Sequence, residues 1–387
     1  MEKYVYRRSD RQLPPASLIV FAALLCGFAL VNLFWPKREN SELENRKLAQ
    51  MPVFSVKTLL NGKWQDDFST YLQDQVALRD GWINLESAVN ALAFGKTEES
   101  GILNGKDGWM FTKLFTVSTD TEKQLGKNIS AVTNFAQRYP GRVTFLLAPS
   151  ASDIYPEMLP ANAPMVDEDA MLDDIFAQVQ ASGADVIDMR DDYRANKDQY
   201  LYFKTDHHWT AEGAKVGFDT LMTAMNEDIP QVSYNIETVK DFHGTLYSKA
   251  PTDFSAADEI HFYTNPDNSV KVNYVQENKQ TDTLFDDSFK TKKDKYSTFM
   301  GGNFALTEIE TNGENDEHVL IIKDSYANTV MPFFADKYKH ITMIDMRYYH
   351  IMDKTVSEYV KDNGITKVIF LYNMDFVNTD NNFIWLE

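Results

Sequence analysis

Five short segments, RVTFLLAP (142–149), ADVIDM (184–189), HVLIIKD (318–324), HITMID (340–345) and KVIFLYN (367–373), are apolar on successive residues rather than on alternate ones. A strand of that kind needs cover on both faces, which a parallel sheet flanked by crossover helices supplies. The chain provides such helices between them. EDAMLDDIFAQVQASG (168–183) is amphipathic and stopped by Gly183; TAEGAKVGFDTLMTAMN (210–226) has Thr210 as its N-cap; SYANTVMPFFADKY (325–338) and MDKTVSEYVKDNG (352–364) follow. The pattern predicts an α/β/α sandwich with a central parallel sheet. Residues 229–316 break the rhythm. They are polar and turn-rich, with alternating pieces such as EIHFYT and SVKVNYV, and read as an insertion of small β-hairpins over one edge of the sheet. No internal repeat is visible.

The N-terminal part obeys a different rule. Residues 16–35, ASLIVFAALLCGFALVNLFW, carry no charge. About twenty apolar residues in a helix span a hydrocarbon core. Lys3, Arg7, Arg8 and Arg11 precede them and place that end in the cytoplasm. No small-residue cleavage signal follows, so the expectation is an uncleaved single-pass anchor with the rest of the chain extracellular. The expected divisions are a cytoplasmic N-terminus (1–15), a transmembrane anchor (16–36), a helical neck (37–104) and one enlarged α/β domain (105–387). The neck reading rests on Trp64, Phe68, Tyr71, Leu72, Val76 and Leu78 at helical spacing. In GKDGWMF (105–111), Asp-Gly signals a tight turn between short strands.

The 387 residues fit one such domain plus appendages, and the formal charge of -19 argues against nucleic-acid binding, which needs a surplus of Lys and Arg. Cys26 is the single cysteine and lies in the apolar run, so an intrachain disulfide and a cysteine-based zinc site are both out of reach.

Chemistry concentrates in two places. In open α/β sheets, functional groups gather beyond the carboxyl ends of the strands. HVLIIKDSYANT runs from a buried strand straight into Asp324 and Ser325 and then a helix, whose N-terminal amides favour an oxyanion; Ser325 also suits a plain N-cap. YFKTDHHWT holds Asp206, His207 and His208 in a chain with seven histidines. A nucleophilic serine needs a base, and the base needs a carboxylate to fix its tautomer. Asp-x-His supplies both: Asp206 orients His208, whose other nitrogen faces Ser325. Two rival readings are a metal site, for which no further ligand set is evident, and the manganese-dependent DHH phosphoesterase motif, whose early Asp-rich element is absent.

YFKTDHHWTAEGA resembles the signature of the DHHW protein family, relatives of the alginate O-acetyltransferases AlgJ and AlgX and, more distantly, of SGNH hydrolases. ENRKLAQMPVF, GKDGWMF, APSASDIYPEMLP, HGTLYSKA, KDSYAN and IFLYN follow in the order that the family would have them. The resemblance implies an SGNH-like fold with permuted motifs, Asp206 and His208 as the Asp and His of the family element, and Ser325 as nucleophile. His207 falls on a variable position and takes a supporting role. SGNH enzymes have glycine where Lys323 stands, so the oxyanion donors need other sources: the Ser325 amide, Gly302 or Asn303 in FMGGNFA. Lys323 is free in this reading to steer an acidic substrate or to face solvent. Arg347, after another strand, is a candidate anchor for a carboxylate or sugar hydroxyl; Tyr202 and Lys204 are candidates for the cleft wall.

The implied activity is O-acylation, most simply acetylation, of a cell-surface or exported polysaccharide. The implied partner is an MBOAT-type, AlgI-like membrane acyltransferase that delivers the acyl group from the cytoplasm. No cofactor and no metal are required. The same residues suit a polysaccharide acetyl-esterase, and the fold with a silent triad would suit a polysaccharide-binding or assembly protein.

Overall fold

The computed structural model describes residues 15–252, 255 and 257–387. The chain divides into two compact units, Met1–Glu86 and Ser87–Glu387.

In the first unit, helix α1 (Pro15–Phe34) holds the uncharged run. Its stretch Ala16–Phe34 has 19 residues and mean hydropathy 2.4, long and apolar enough to cross a membrane. Helices α2 (Val56–Leu60), α3 (Lys63–Asp74) and α4 (Arg79–Phe94) follow, the last running past the unit boundary. Ser55 caps α2 by accepting from the Thr58 amide at 3.1 Å. Charge fixes the segment before α2 onto the α3–α4 corner. Arg46 forks onto Asp74 at 2.6 and 3.0 Å, the Ala49 amide adds a third bond to that carboxylate, and Arg38 forks onto Asp80 at 2.7 and 2.9 Å.

In the second unit, Ile102–Asn104 and Met110–Thr112 form the hairpin expected around Asp-Gly, with Asp107 in the left-handed region at φ 51°. Helix α5 (Thr119–Arg138) precedes β1 (Val143–Ala148), α6 (Glu168–Gln180), β2 (Asp185–Ile187) and α7 (Ala211–Ala224). Then come β3 (Asn235–Phe242), β4 (Asp258–Thr264), β5 (Val270–Tyr274), β6 (Lys279–Thr281) and β7 (Leu306–Thr311). The chain closes with β8 (Asn315–Lys323), α8 (Ala327–Lys337), β9 (Tyr338–Asp345), α9 (Val356–Asp362) and β10 (Lys367–Asn373). Thr210 caps α7 as expected, accepting from the Gly213 amide at 3.1 Å.

Eight strands form one sheet in the order β6-β5-β7-β9-β8-β10-β1-β2. The five strands read from the sequence, β9, β8, β10, β1 and β2, are mutually parallel; β7, β5 and β6 continue the sheet antiparallel. The insertion therefore departs from the expectation. Its β3–β4 hairpin is a separate pair, but β5, β6 and β7 hydrogen-bond onto the edge and make the sheet mixed. Alternate side chains of one strand serve opposite layers. Phe145, Leu147, Leu320, Ile322 and Phe370 pack with α5 and α6, while Leu146, Ile321, Ile369 and Leu371 pack with α7 and α8. β8 lies between β9 and β10, so its C-terminal end opens at the middle of the sheet.

Candidate active site

Ser325 stands two residues beyond β8 and just before α8. The turn is held by Asp324, which is fully buried: its carboxylate accepts from the Tyr326 amide at 2.8 Å and the Asn373 amide at 2.7 Å, tying the serine to the end of β10. Burial pushes that carboxyl up to about 6, against the pull of those amides and of Arg347.

The Asp-x-His loop closes on itself. Tyr202 bridges to Trp209, the Thr210 amide donates to the Leu201 carbonyl at 2.9 Å, and the Phe203 amide to the His208 carbonyl at 3.3 Å. The insertion braces this loop. Asp258 of β4 accepts from the Lys204 amide (2.9 Å), the Thr205 amide (2.8 Å) and the Thr205 hydroxyl (2.5 Å). A Cβ on Gly244 would sit 2.3 Å from the Asp206 carboxylate, so only glycine lets the chain come close enough for the next amide, Thr245, to donate to Asp206 at 2.6 Å.

These elements bring Ser325, His208 and Asp206 together across 117 residues of sequence. His208 Nε2 lies 2.7 Å from Ser325 Oγ, and His208 Nδ1 lies 2.5 Å from Asp206 Oδ1. The three side chains are almost wholly buried. With Nδ1–H donating to the carboxylate, Nε2 is left to accept the serine proton. Burial alone would raise the Asp206 carboxyl; the His208 and His207 imidazoles, with bonds from His208 and the Thr245 amide, outweigh it and hold the group well below the carboxylate range. The His208 ring lies flat on Tyr296, centroids 3.7 Å apart. The Tyr296 hydroxyl donates to the Ser325 carbonyl at 2.9 Å and accepts from the Thr329 hydroxyl at 2.6 Å. Burial pushes that phenol far above its usual value and keeps it a neutral donor.

The His207 ring lies against that of His208, centroids 3.8 Å apart. Its Nδ1 faces the Thr245 hydroxyl at 2.6 Å, and burial followed by the charge of His208 pushes it down to about 3. Asp206, His207 and His208 are the one group among the described residues whose potential metal-ligand atoms all lie within 4.8 Å of one another. Asp206 and His208 direct those atoms at each other and His207 Nδ1 at Thr245, an arrangement suited to proton transfer. A cleft beside the loop is lined by Thr112, Ser150, Ser152, His207, Tyr326 and Asn373.

Several expected residues serve other ends. Tyr202 is fully buried and donates to the Pro149 carbonyl at 2.6 Å, so it packs the loop instead of lining a cleft. Lys204 reaches the Asp107 carbonyl at 3.1 Å above the Trp109 ring. Lys323 does not face solvent. It is 2% exposed, and its ammonium meets Asn303 Oδ1 (2.9 Å), Asn328 Oδ1 (2.7 Å) and Asp345 (3.6 Å). Burial pushes it down to about 8. Arg347 forks onto the same Asp345 at 2.8 and 2.5 Å, which makes it an internal partner of that buried carboxylate and not a free anchor. The Gly302 amide donates to the Phe299 carbonyl at 3.3 Å, closing a turn, and so is committed there. Asn303 has its oxygen held by Lys323 and by Asn328 (3.1 Å), which leaves its NH2 group as the end that can point elsewhere. Tyr296, Gly244, Thr245 and Asp258 were not foreseen. The Gly-Thr within HGTLYSKA was their only local signal.

The fold and this constellation define an SGNH-like α/β domain. Residues 102–292 match the family model described as SGNH hydrolase-like domain, acetyltransferase AlgX. The chain is 26% identical over 247 residues to the probable alginate O-acetylase AlgJ of Pseudomonas syringae pv. tomato, covering 61% of each chain. It is 26% identical over 257 residues to the protein of that name from Pseudomonas aeruginosa, covering 63% of this chain. It spans 61% and 62% of the length of these curated relatives. A crystal structure of a DHHW family protein from Eubacterium siraeum superposes with a TM-score of 0.59 at 23% identity, covering 75% of this chain and 95% of that one. Bacillus cereus PatB1, solved with a sulfonyl adduct, gives a TM-score of 0.59 at 23% identity, covering 74% and 98%. The chain is thus similar in sequence to the AlgJ proteins and, over residues 102–292, to the AlgX family model, and it shares the fold of the DHHW family protein.

Proposed function

We propose that this protein is a membrane-anchored O-acetyltransferase that modifies a polysaccharide outside the cytoplasmic membrane. The observation that carries the reading is the hydrogen-bonded run Ser325–His208–Asp206 at the C-terminal end of a central strand. The AlgJ relatives, probable alginate O-acetylases by name, support the acyl group and the acceptor class.

Ser325 Oγ attacks the carbonyl carbon of an acyl donor while His208 Nε2 takes the hydroxyl proton. The tetrahedral intermediate collapses, the bond to the leaving group breaks, and His208 returns the proton to that group. A sugar hydroxyl then attacks the acyl-enzyme, His208 takes its proton, and Ser325 recovers it as the sugar ester leaves. Asp206 keeps the imidazole in the right tautomer and stabilises the transient imidazolium. The Ser325 amide and the Asn303 NH2 are the proposed oxyanion donors. Helix α1 serves as the single-pass anchor, with its N-terminus cytoplasmic. It holds the domain beside an MBOAT-type, AlgI-like partner, which the family resemblance supplies as the source of activated acyl groups.

The test is transfer itself. The full chain in detergent, given an aryl acetate and an oligosaccharide with free hydroxyls, is expected to yield acetylated oligosaccharide, and Ser325→Ala is expected to yield none. Release of free acetate alone, unaffected by oligosaccharide, would contradict the transferase reading and leave an esterase.

A further inference from the structure

The first unit contains a contact that its membrane anchor makes hard to ignore. The Ala77 amide, at the corner between α3 and α4, donates to the side chain of Asn32 in α1 at 2.8 Å. Asn32 also donates to the Phe28 carbonyl one turn earlier. Trp82 of α4 packs edge-on against the Phe28 ring, centroids 6.4 Å apart, and Ala77 is 2% exposed. The corner is thus docked on the flank of the apolar helix, not beyond its end.

Length decides where that contact lies. Phe28 precedes Trp35 by seven residues, about 10 Å of helix at 1.5 Å per residue. Raising Phe28 out of the hydrocarbon would leave residues 16–27, about 18 Å, to cross a core of about 30 Å. The helix has no slack, so the corner sits at the depth of Phe28. Asn32 fits this placement: a polar side chain within a span is costly unless satisfied, and the Ala77 amide satisfies it.

The outer surface of the corner matches a lipid environment. Trp82 and Leu85 lie three residues apart on one face of α4, Leu78 immediately precedes the helix, and the three are 50%, 52% and 61% exposed. Leu78 takes the left-handed conformation at φ 57°, a strained choice for a bulky residue, and points outward. The charges beside it are neutralised in pairs, Arg79 with Glu44 and Asp80 with Arg38. In water this face would leave three large side chains half uncovered; an acyl-chain layer would cover them.

We propose that the α3–α4 corner is a second membrane element, embedded in the outer leaflet with Leu78, Trp82 and Leu85 against lipid acyl chains. This rests on α1 spanning the membrane, and the test separates the two. In the full chain with Cys26→Ala, a single cysteine is introduced by Leu85→Cys, with Leu78→Cys as an independent second site. Leu24→Cys reports the span and Asp120→Cys, 98% exposed, reports water. Each is labelled with an environment-sensitive fluorophore in phosphatidylcholine–phosphatidylglycerol vesicles carrying nitroxide lipids. The expected result is blue-shifted emission at positions 85 and 78, quenched by acyl-chain nitroxide and protected from iodide, with position 24 quenched as well. Iodide access at 85 and 78 equal to that at 120, with 24 still lipid-quenched, would overturn the proposal and leave the span intact. Iodide access at 24 would defeat the span and this proposal together. Protection from both quenchers at 85 and 78 would mean a second copy of the chain covers the face, and would also overturn it.

Discussion

The phenol ring of Tyr296 lies parallel to the imidazole of His208, 3.7 Å between centroids and 11° between planes, while its hydroxyl donates to the backbone carbonyl of Ser325. One side chain from the insertion therefore fixes both the imidazole of the proposed base, His208, and the backbone of the proposed nucleophile, Ser325. Tyr296→Phe keeps the stack and strands two buried partners, Ser325 O and Thr329 Oγ1. The expected loss is about tenfold in kcat, the equivalent of about 1.4 kcal/mol, with little change in KM. Tyr296→Ala also opens a cavity and is expected to cost about 3–5 kcal/mol in urea denaturation.

The two adjacent histidines are expected to separate cleanly. His208→Ala removes the proposed base and should lower acetyl-ester turnover by at least about 10²-fold. His207→Ala loses its contact with Thr245 and one neighbour of the base, and should cost less than about tenfold. Equal losses would mean that His207 shares in proton transfer.

Asp206 links the site to acid stability. Its carboxyl is held below the unfolded value, so between the two values the unfolded chain binds more protons than the folded one. The stability it contributes is full above about pH 4 and is lost as pH falls below that. Denaturant midpoints of Asp206→Asn against pH should show a flatter acid limb than the wild type. The same variant should lower kcat by about 10⁴-fold, because the amide favours the wrong imidazole tautomer.

Asp345 carries two cations, Lys323 and Arg347, in a buried cluster. Asp345→Ala leaves both uncompensated and is expected to cost about 3–5 kcal/mol. Lys323→Met leaves the Asp345–Arg347 pair in place and should cost less, which guanidinium unfolding of the two variants would resolve.

What the sequence disclosed follows a physical line. β1, β8, β9 and β10 were legible because double-sided apolarity demands burial, and Ser325, His208 and Asp206 because strand-end chemistry and Asp-x-His spacing are local. β5 was legible as a strand from Val270, Val272 and Tyr274, but not its place on the sheet, since alternation does not name the partner strand. Lys323 misled for the same reason: only the cross-strand register, which sets it opposite Asp345, turns its ammonium inward. Tyr296, Thr245 and Asp258 act on the loop from 38 or more residues away, in a polar stretch where the Gly-Thr of HGTLYSKA is the only local signal.

Whether Ser325 Oγ becomes acylated is the most direct test of the proposed chemistry. Intact-mass and peptide mass spectrometry of the full chain after brief exposure to an activated acetyl ester would decide it. The account predicts one acetyl group, mapped to the peptide containing Ser325, abolished by Ser325→Ala and much slowed by His208→Ala. An acetyl group on another residue, or labelling of Ser325→Ala equal to the wild type, would contradict it.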